Sequence, residues 1–243
     1  MKRIAGISLL LGIVIVISAG LSAAAEESVT EVINKLQAQY DQTLDFSATF
    51  TQETISKSIG APAIMNGKVY IKKPGMMRLD YTDPKKWQII SDGQTSWLYF
   101  PEDKQVRIYK TAEAFENLPF LNFLFGKGKI ADDFTASFGE LDKDQAKDSY
   151  LIVLAPKNKD STIDRVLILV SRNDYLIKQL NTYDVIGTVI RIAFKDIALN
   201  SGLKDSMFHF IVPPGVETFK IETKTPPKAK GNVKIEIIEN NKK

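Results

Sequence analysis

Residues 67–81 read GKVYIKKPGMMRLDY, and the period of this stretch decides the fold. Val69 and Ile71 alternate with Lys68, Tyr70 and Lys72, while Met77, Leu79 and Tyr81 alternate with Arg78 and Asp80. A period of two puts apolar side chains on one face and polar ones on the other, so the stretch reads as two half-buried strands. The alternation continues outward in both directions. Upstream, Phe46, Ala48 and Phe50 alternate with Ser47, Thr49 and Thr51. Downstream, residues 87–91 are joined through Asp92-Gly93 to residues 95–100 as a hairpin, and Pro101-Glu102-Asp103 turns into Val106 and Ile108. Residues 150–155, 163–171, 175–183 and 188–197 repeat the pattern, although residues 151–154 and 166–170 are apolar throughout and do not show which side faces inward. Short spacers between neighbouring strands imply antiparallel pairing. About ten strands with one interruption predict a mainly β fold, a single large curved antiparallel sheet.

One helix precedes the strands. Ser28-Val29-Thr30-Glu31 has the spacing of a capping box, and Val29, Val32, Ile33, Leu36 and Tyr40 follow at helical intervals. The interruption is residues 112–125, AEAFENLPFLNFLF, which carries Phe115, Leu118, Phe120, Leu121, Phe123, Leu124 and Phe125 around Pro119. No strand alternation fits it. As short helical turns broken at the proline it is apolar on nearly every side and needs cover on more than one face. It reads either as an ordinary core segment or as a lid over an apolar space, jointed at Gly126-Lys127-Gly128.

The ends of the chain have their own grammar. Lys2 and Arg3 precede an uncharged run to Leu21, then Ser22-Ala23-Ala24-Ala25 and Glu26-Glu27. That order predicts a secretory signal peptide over 1–25, cleaved after Ala25, and hence export. The rival is an uncleaved anchor. No cysteine follows the apolar run, so the chain is not itself an N-terminally lipidated lipoprotein. Residues 26–224 then form the domain. Residues 225–243 are a basic extension whose Val233, Ile235 and Ile237 alternate as a last strand. Removing Lys2 and Arg3 leaves 30 basic against 29 acidic residues, a balance that does not call for nucleic acid.

Catalytic equipment is sparse. The 243 residues contain no cysteine and one histidine, which excludes disulfide scaffolds, thiol nucleophiles and ligand sets needing two imidazoles. His209 alternates with apolar neighbours and is expected at a half-exposed strand position. No G-x-S-x-G elbow offers a serine to pair with it. Asp132-Asp133 and the acidic stretch 140–144 lack calcium-loop spacing and read as solvated loops. An exported β-rich domain of this kind, expected to be no enzyme and to hold no metal or cofactor, points to binding.

The stretch 67–75 with Arg78-Leu79-Asp80-Tyr81, then Ile90-Ser91-Asp92-Gly93-Gln94-Thr95-Ser96-Trp97-Leu98-Tyr99, resembles the outer-membrane lipoprotein carrier (LolA-like) family. Phe46-Ser47-Ala48-Thr49-Phe50-Thr51-Gln52 and Phe210-Ile211-Val212-Pro213-Pro214-Gly215-Val216 resemble it in the same order. The resemblance implies a periplasmic chaperone built as a half-open β-barrel, with an apolar concave face under a helical lid. It also implies lipoprotein acyl chains as cargo, received from an inner-membrane ABC-type extractor and passed to an outer-membrane acceptor by a monomer. A basic residue before the proline latches the lid in that family, and Lys73 holds that position here. The expected lining is Val69, Ile71, Met77, Leu79, Tyr81, Trp87 and Ile89 from the first half, with Ile190, Ile192 and Phe194 from the second. Met77→Glu is expected to block loading and leave the fold intact. The alternative is a periplasmic lipid or lipoprotein sensor that does not ferry its ligand.

Overall fold

The computed structural model describes residues 26–56, 60–111, 123–222 and 234–237. The expected signal peptide and residues 112–122, which carry Phe115, Leu118, Phe120 and Leu121, lie outside them. The chain opens with helix α1 (Val29–Asp41), whose start follows from its capping box. The Glu31 amide donates to Ser28 Oγ at 3.3 Å, and the Ser28 amide donates to Glu31 Oε2 at 2.8 Å. Val32, Ile33, Leu36 and Tyr40 form its buried stripe.

The strands are β1 (Asp45–Ile55), β2 (Ala63–Lys72), β3 (Met76–Asp83), β4 (Trp87–Asp92), β5 (Thr95–Phe100), β6 (Gln105–Lys110), β7 (Phe134–Phe138), β8 (Ser149–Pro156), β9 (Ile163–Ser171), β10 (Ile177–Asp184), β11 (Val189–Leu199), β12 (Glu217–Glu222) and β13 (Lys234–Ile237). Two short helices, α2 (Ile130–Asp133) and α3 (Gln145–Asp148), flank β7. All thirteen strands join one sheet in the order β13-β12-β6-β5-β4-β3-β2-β1-β11-β10-β9-β8-β7. Its outer strands, β13 and β7, do not pair, so the curved sheet stays open. Every neighbouring pair is antiparallel except β12 with β6.

Register shows how one face becomes the interior. Directly opposed residues point the same way, and Ala48, Val69, Leu79, Ile89 and Leu98 oppose one another in turn across β1 to β5. On the other side of β1, Gln52, Ile192, Leu180, Ile168 and Ile152 form the matching row. The apolar runs in β8 and β9 thereby acquire a direction: Ile152, Leu154, Val166, Ile168 and Val170 face inward and are wholly buried. They share one core with the stripe of α1.

The outer face of β3 to β6 is covered by residues 200–216. Asp45, itself buried, accepts hydrogen bonds from the Ser201 amide (2.8 Å) and hydroxyl (2.9 Å), and from the amides of Gly202 (2.9 Å) and Leu203 (3.2 Å). A 3-10 turn, Asp205–Phe208, then presses Phe208 against the sheet, where it is fully buried along with Ile90 and Val106. Phe210 packs on Trp97 and Tyr99. This corrects the reading of His209: it follows the 3-10 turn, belongs to no strand and is exposed. The alternation at 207–211 is real but is met by packing on the outside of the sheet.

Candidate functional site

All ten residues expected to line the groove lie on the inner face. Ile71 opposes Met77, Val69 opposes Leu79, Leu79 opposes Ile89 and Tyr81 opposes Trp87. Phe194 opposes Phe50, Ile192 opposes Gln52 and Ile190 opposes Thr54. Depth divides them. Val69, Ile71, Met77 and Tyr81 are buried, whereas Leu79, Trp87, Ile89, Ile190, Ile192 and Phe194 are half-buried. Met77 is 4% exposed within the core, so a carboxylate there would be desolvated among apolar groups. The expectation that Met77→Glu spares the fold is therefore corrected: the half-buried Leu79 is the position where a charge can test the groove.

A column of rings runs from the core to the rim. Phe50 meets Tyr81 edge-on at 5.2 Å between centroids. Tyr81 stacks on Trp87 at 4.0 Å, and Trp87 stacks on Phe100 at 5.6 Å. Burial pushes the Tyr81 hydroxyl up to about 12, and it donates to Gln52 Oε1 at 3.0 Å, so it stays a neutral donor. The column ends at a pocket of about 440 Å³ walled by Met65, Trp87 and Phe100 and edged by the β3–β4 and β5–β6 turns. That volume lies within the range of small-molecule sites. Met65 and Phe100 were absent from the expected lining. The β4–β5 hairpin held the clue to Phe100, because Ile89 opposes Leu98 and inward parity then reaches residue 100.

The deep end is filled by the protein itself. Phe123 and Phe125 are buried, and Phe123 meets the Tyr40 ring edge-on at 5.6 Å. These two residues and Leu124 are the described end of the expected lid. At the other end of that segment, the Thr111 hydroxyl lies 3.0 Å from both Ser91 Oγ and Ser96 Oγ, in a buried trio.

Lys73 sits beside both α1 and residue 126. Its ammonium donates to the carbonyl of Tyr40 and, at 3.4 Å, to that of Asp41, at the C-terminal end of a helix that has no basic residue in its own last turn. A cation there meets the negative end of the helix dipole. Burial lowers the Lys73 pKa from its ordinary value, and Asp41 opposes that shift. Its methylene stem underlies Gly126, where a Cβ would come within 3.0 Å of Lys73 Cδ. These described bonds of Lys73 hold α1; a bond to residues 112–122 falls outside the described residues.

A half-open sheet with a largely apolar inner face and a pocket at its mouth defines the class of protein: a curved, open β-scaffold with few helices. The sequence pattern described as "Outer membrane lipoprotein carrier protein LolA" matches residues 41–211, and the chain belongs to this family. An outer-membrane lipoprotein carrier protein of Pseudomonas aeruginosa (strain UCBPP-PA14) is 30% identical over 202 residues, covering 82% of this chain and 88% of that one. Its counterpart in Actinobacillus succinogenes is 30% identical over 197 residues, with 81% and 89% covered. Among solved structures, an uncharacterized conserved protein from Thermus thermophilus superposes with a TM-score of 0.50 at 10% identity, over 79% of this chain and 98% of that one. A LolA superfamily protein from Nitrosomonas europaea gives 0.41 at 13% identity, with 76% and 99% covered.

Proposed function

We propose that this protein is a periplasmic carrier that binds lipoprotein acyl chains on its inner face and takes lipoproteins from the inner to the outer membrane. In this reading an ABC-type extractor loads it, an outer-membrane acceptor unloads it, and it travels as a monomer after its leader is removed at Ala25. The observation that carries the reading is the inner face itself. Six half-buried apolar side chains, Leu79, Trp87, Ile89, Ile190, Ile192 and Phe194, lie on the same surface as a fully buried core. Each methylene kept from water contributes about 0.8 kcal/mol, so one long chain needs roughly 10 kcal/mol of apolar shelter to cross an aqueous compartment. A curved sheet that leaves its inner side accessible can offer it.

The closed state needs a substitute for cargo, and Phe123, edge-on to Tyr40, with the buried Phe125 serves as one. Lys73 ties that end to α1, which is the latch role proposed for it. The test is release of a lipoprotein from inner-membrane vesicles into a soluble complex, given extractor and ATP. Wild-type protein is expected to extract it, and Leu79→Glu is expected to extract at least tenfold less while unfolding as cooperatively as wild type. Cargo that stays on the vesicles with wild-type protein, while a known carrier removes it, would end the ferrying proposal.

A further inference from the structure

The mouth pocket has two lips of opposite charge. Lys85 and Lys86 stand on the β3–β4 turn, Glu102 and Asp103 on the β5–β6 turn, and all four are exposed and border the same 440 Å³ pocket. None of the four side chains has an ion pair or hydrogen bond among the described residues; every salt bridge there joins other residues. The two charged pairs stand on different turns of the rim, and in the structure their charges are not paired with one another. Between them lies an apolar wall of Met65, Trp87 and Phe100.

That layout selects among ligand charges. A purely anionic head gains from the lysine lip and is repelled by the acidic one, and a purely cationic head meets the reverse. A head carrying both charges gains from each lip. Lysine ammonium groups receive phosphate as point charges, while carboxylates accept hydrogen bonds from a primary amine, which a quaternary ammonium cannot donate. The apolar wall takes the chain attached to such a head. We infer that the mouth pocket binds a glycerophospholipid with a phosphate-and-primary-amine head: phosphate on Lys85 and Lys86, amine on Glu102 and Asp103, and an acyl chain along Trp87. The inference rests on the proposed role of this face as an acyl-chain shelter and adds a second class of ligand to it.

Trp87 and Trp97 are the protein's two tryptophans, so Trp97→Phe leaves Trp87 as the sole indole reporter. The full chain carrying that change is titrated with monomeric dihexanoyl phosphoethanolamine, phosphocholine and phosphoglycerol lipids, and with an acylated dipeptide bearing a free amine and no phosphate. Phosphoethanolamine is expected to shift Trp87 emission at about tenfold lower concentration than the other three. Glu102→Gln with Asp103→Asn should erase its advantage over phosphoglycerol, and Lys85→Gln with Lys86→Gln should weaken every phosphate-bearing lipid. Equal binding of the three lipids, equal binding of the acylated dipeptide, or selectivity surviving both double variants overturns the head-group assignment. No Trp87 response to any of them overturns the site. Lipoprotein extraction is scored separately: protein that extracts cargo but does not discriminate among heads keeps the carrier reading and loses this one.

Discussion

Gly67 lacks a side chain because its neighbours already occupy the space. A Cβ there would lie 2.4 Å from the Asp80 carbonyl oxygen and 2.8 Å from the Phe50 ring. The vacancy lets Phe50 lie across β2 and meet Tyr81, which starts the aromatic column. Because the closest atom is backbone, relaxation is expensive, and Gly67→Ala is expected to cost about 1–3 kcal/mol. Thermal unfolding checks this at about 2–4 °C per kcal/mol for a chain of this size, and an unshifted midpoint would show that the sheet can yield. Glu27 is a second residue whose role is set by distant partners. Its carboxylate accepts from Lys35 Nζ, from the Tyr150 hydroxyl at 2.5 Å, and from the Tyr175 hydroxyl at 3.0 Å, with Tyr175 held at a φ of 55° in the left-handed region. The Lys35 bond, with the tyrosines, lowers its pKa from the ordinary 4.5 to about 2. A lowered carboxylate stabilises the fold fully above its unfolded value and loses that contribution as pH falls through the folded one. The stability gap between wild type and Glu27→Gln should therefore be constant above about pH 5, shrink between 4.5 and 2, and vanish below; a gap independent of pH in paired melting curves would assign the effect to shape rather than charge. From sequence, Glu27 was only part of an acidic pair after small residues, because the tyrosines that define it lie 123 and 148 positions away.

At the level of elements, the segment 200–216 closes the outer face and carries none of the groove. Phe208 is fully buried there, so Phe208→Ala is expected to cost about 3–5 kcal/mol in urea unfolding. Lipoprotein extraction per folded molecule should be unchanged, and a matching loss of extraction would mean that the outer face helps set the groove. Strands with one wet face were legible in the sequence: the alternation in β1 to β4 supplied parity and the inner face, although the lining read from it began at Val69 and left out Met65 at the start of β2. β8 and β9 were not, since their half-buried outer positions, Leu151, Val153, Leu167 and Leu169, are apolar too, and register alone reveals that Ile152 and Ile168 point inward. β7 escaped because Phe134, Ala136 and Phe138 make a five-residue alternation between acidic stretches, too short to stand apart from a loop. β12 was missed for another reason: it pairs in parallel with β6, over a hundred residues away, and no local turn announces that.

For the whole molecule, volume decides what loading must do. Taking roughly 30 Å³ per methylene, about the share of a water molecule in the liquid, the 440 Å³ mouth pocket holds about one acyl chain. If the proposed cargo bears more than one acyl chain, the others must lie deeper, where α1, Phe123 and Phe125 share the core. Extra chains must displace some of that packing, and a segment outside the helices and strands should give way before one inside them. Residues 123–126 are such a segment: the Gly126 amide donates to the Phe123 carbonyl at 3.1 Å in a turn, and the Phe123 ring meets Tyr40. α1 is fixed at both ends, by its capping box and by Lys73. Amide exchange in residues 123–126 is therefore expected to quicken when a multiply acylated lipoprotein is loaded, and to stay unchanged with a single-chain detergent that fits the mouth alone. If lipoprotein loading leaves exchange there untouched while α1 loses protection, the helix rather than the phenylalanine segment is the element that makes room. The two outcomes place the moving part on opposite sides of Lys73, so an exchange map of the loaded carrier also decides whether that lysine fastens the part that opens or the part that stays.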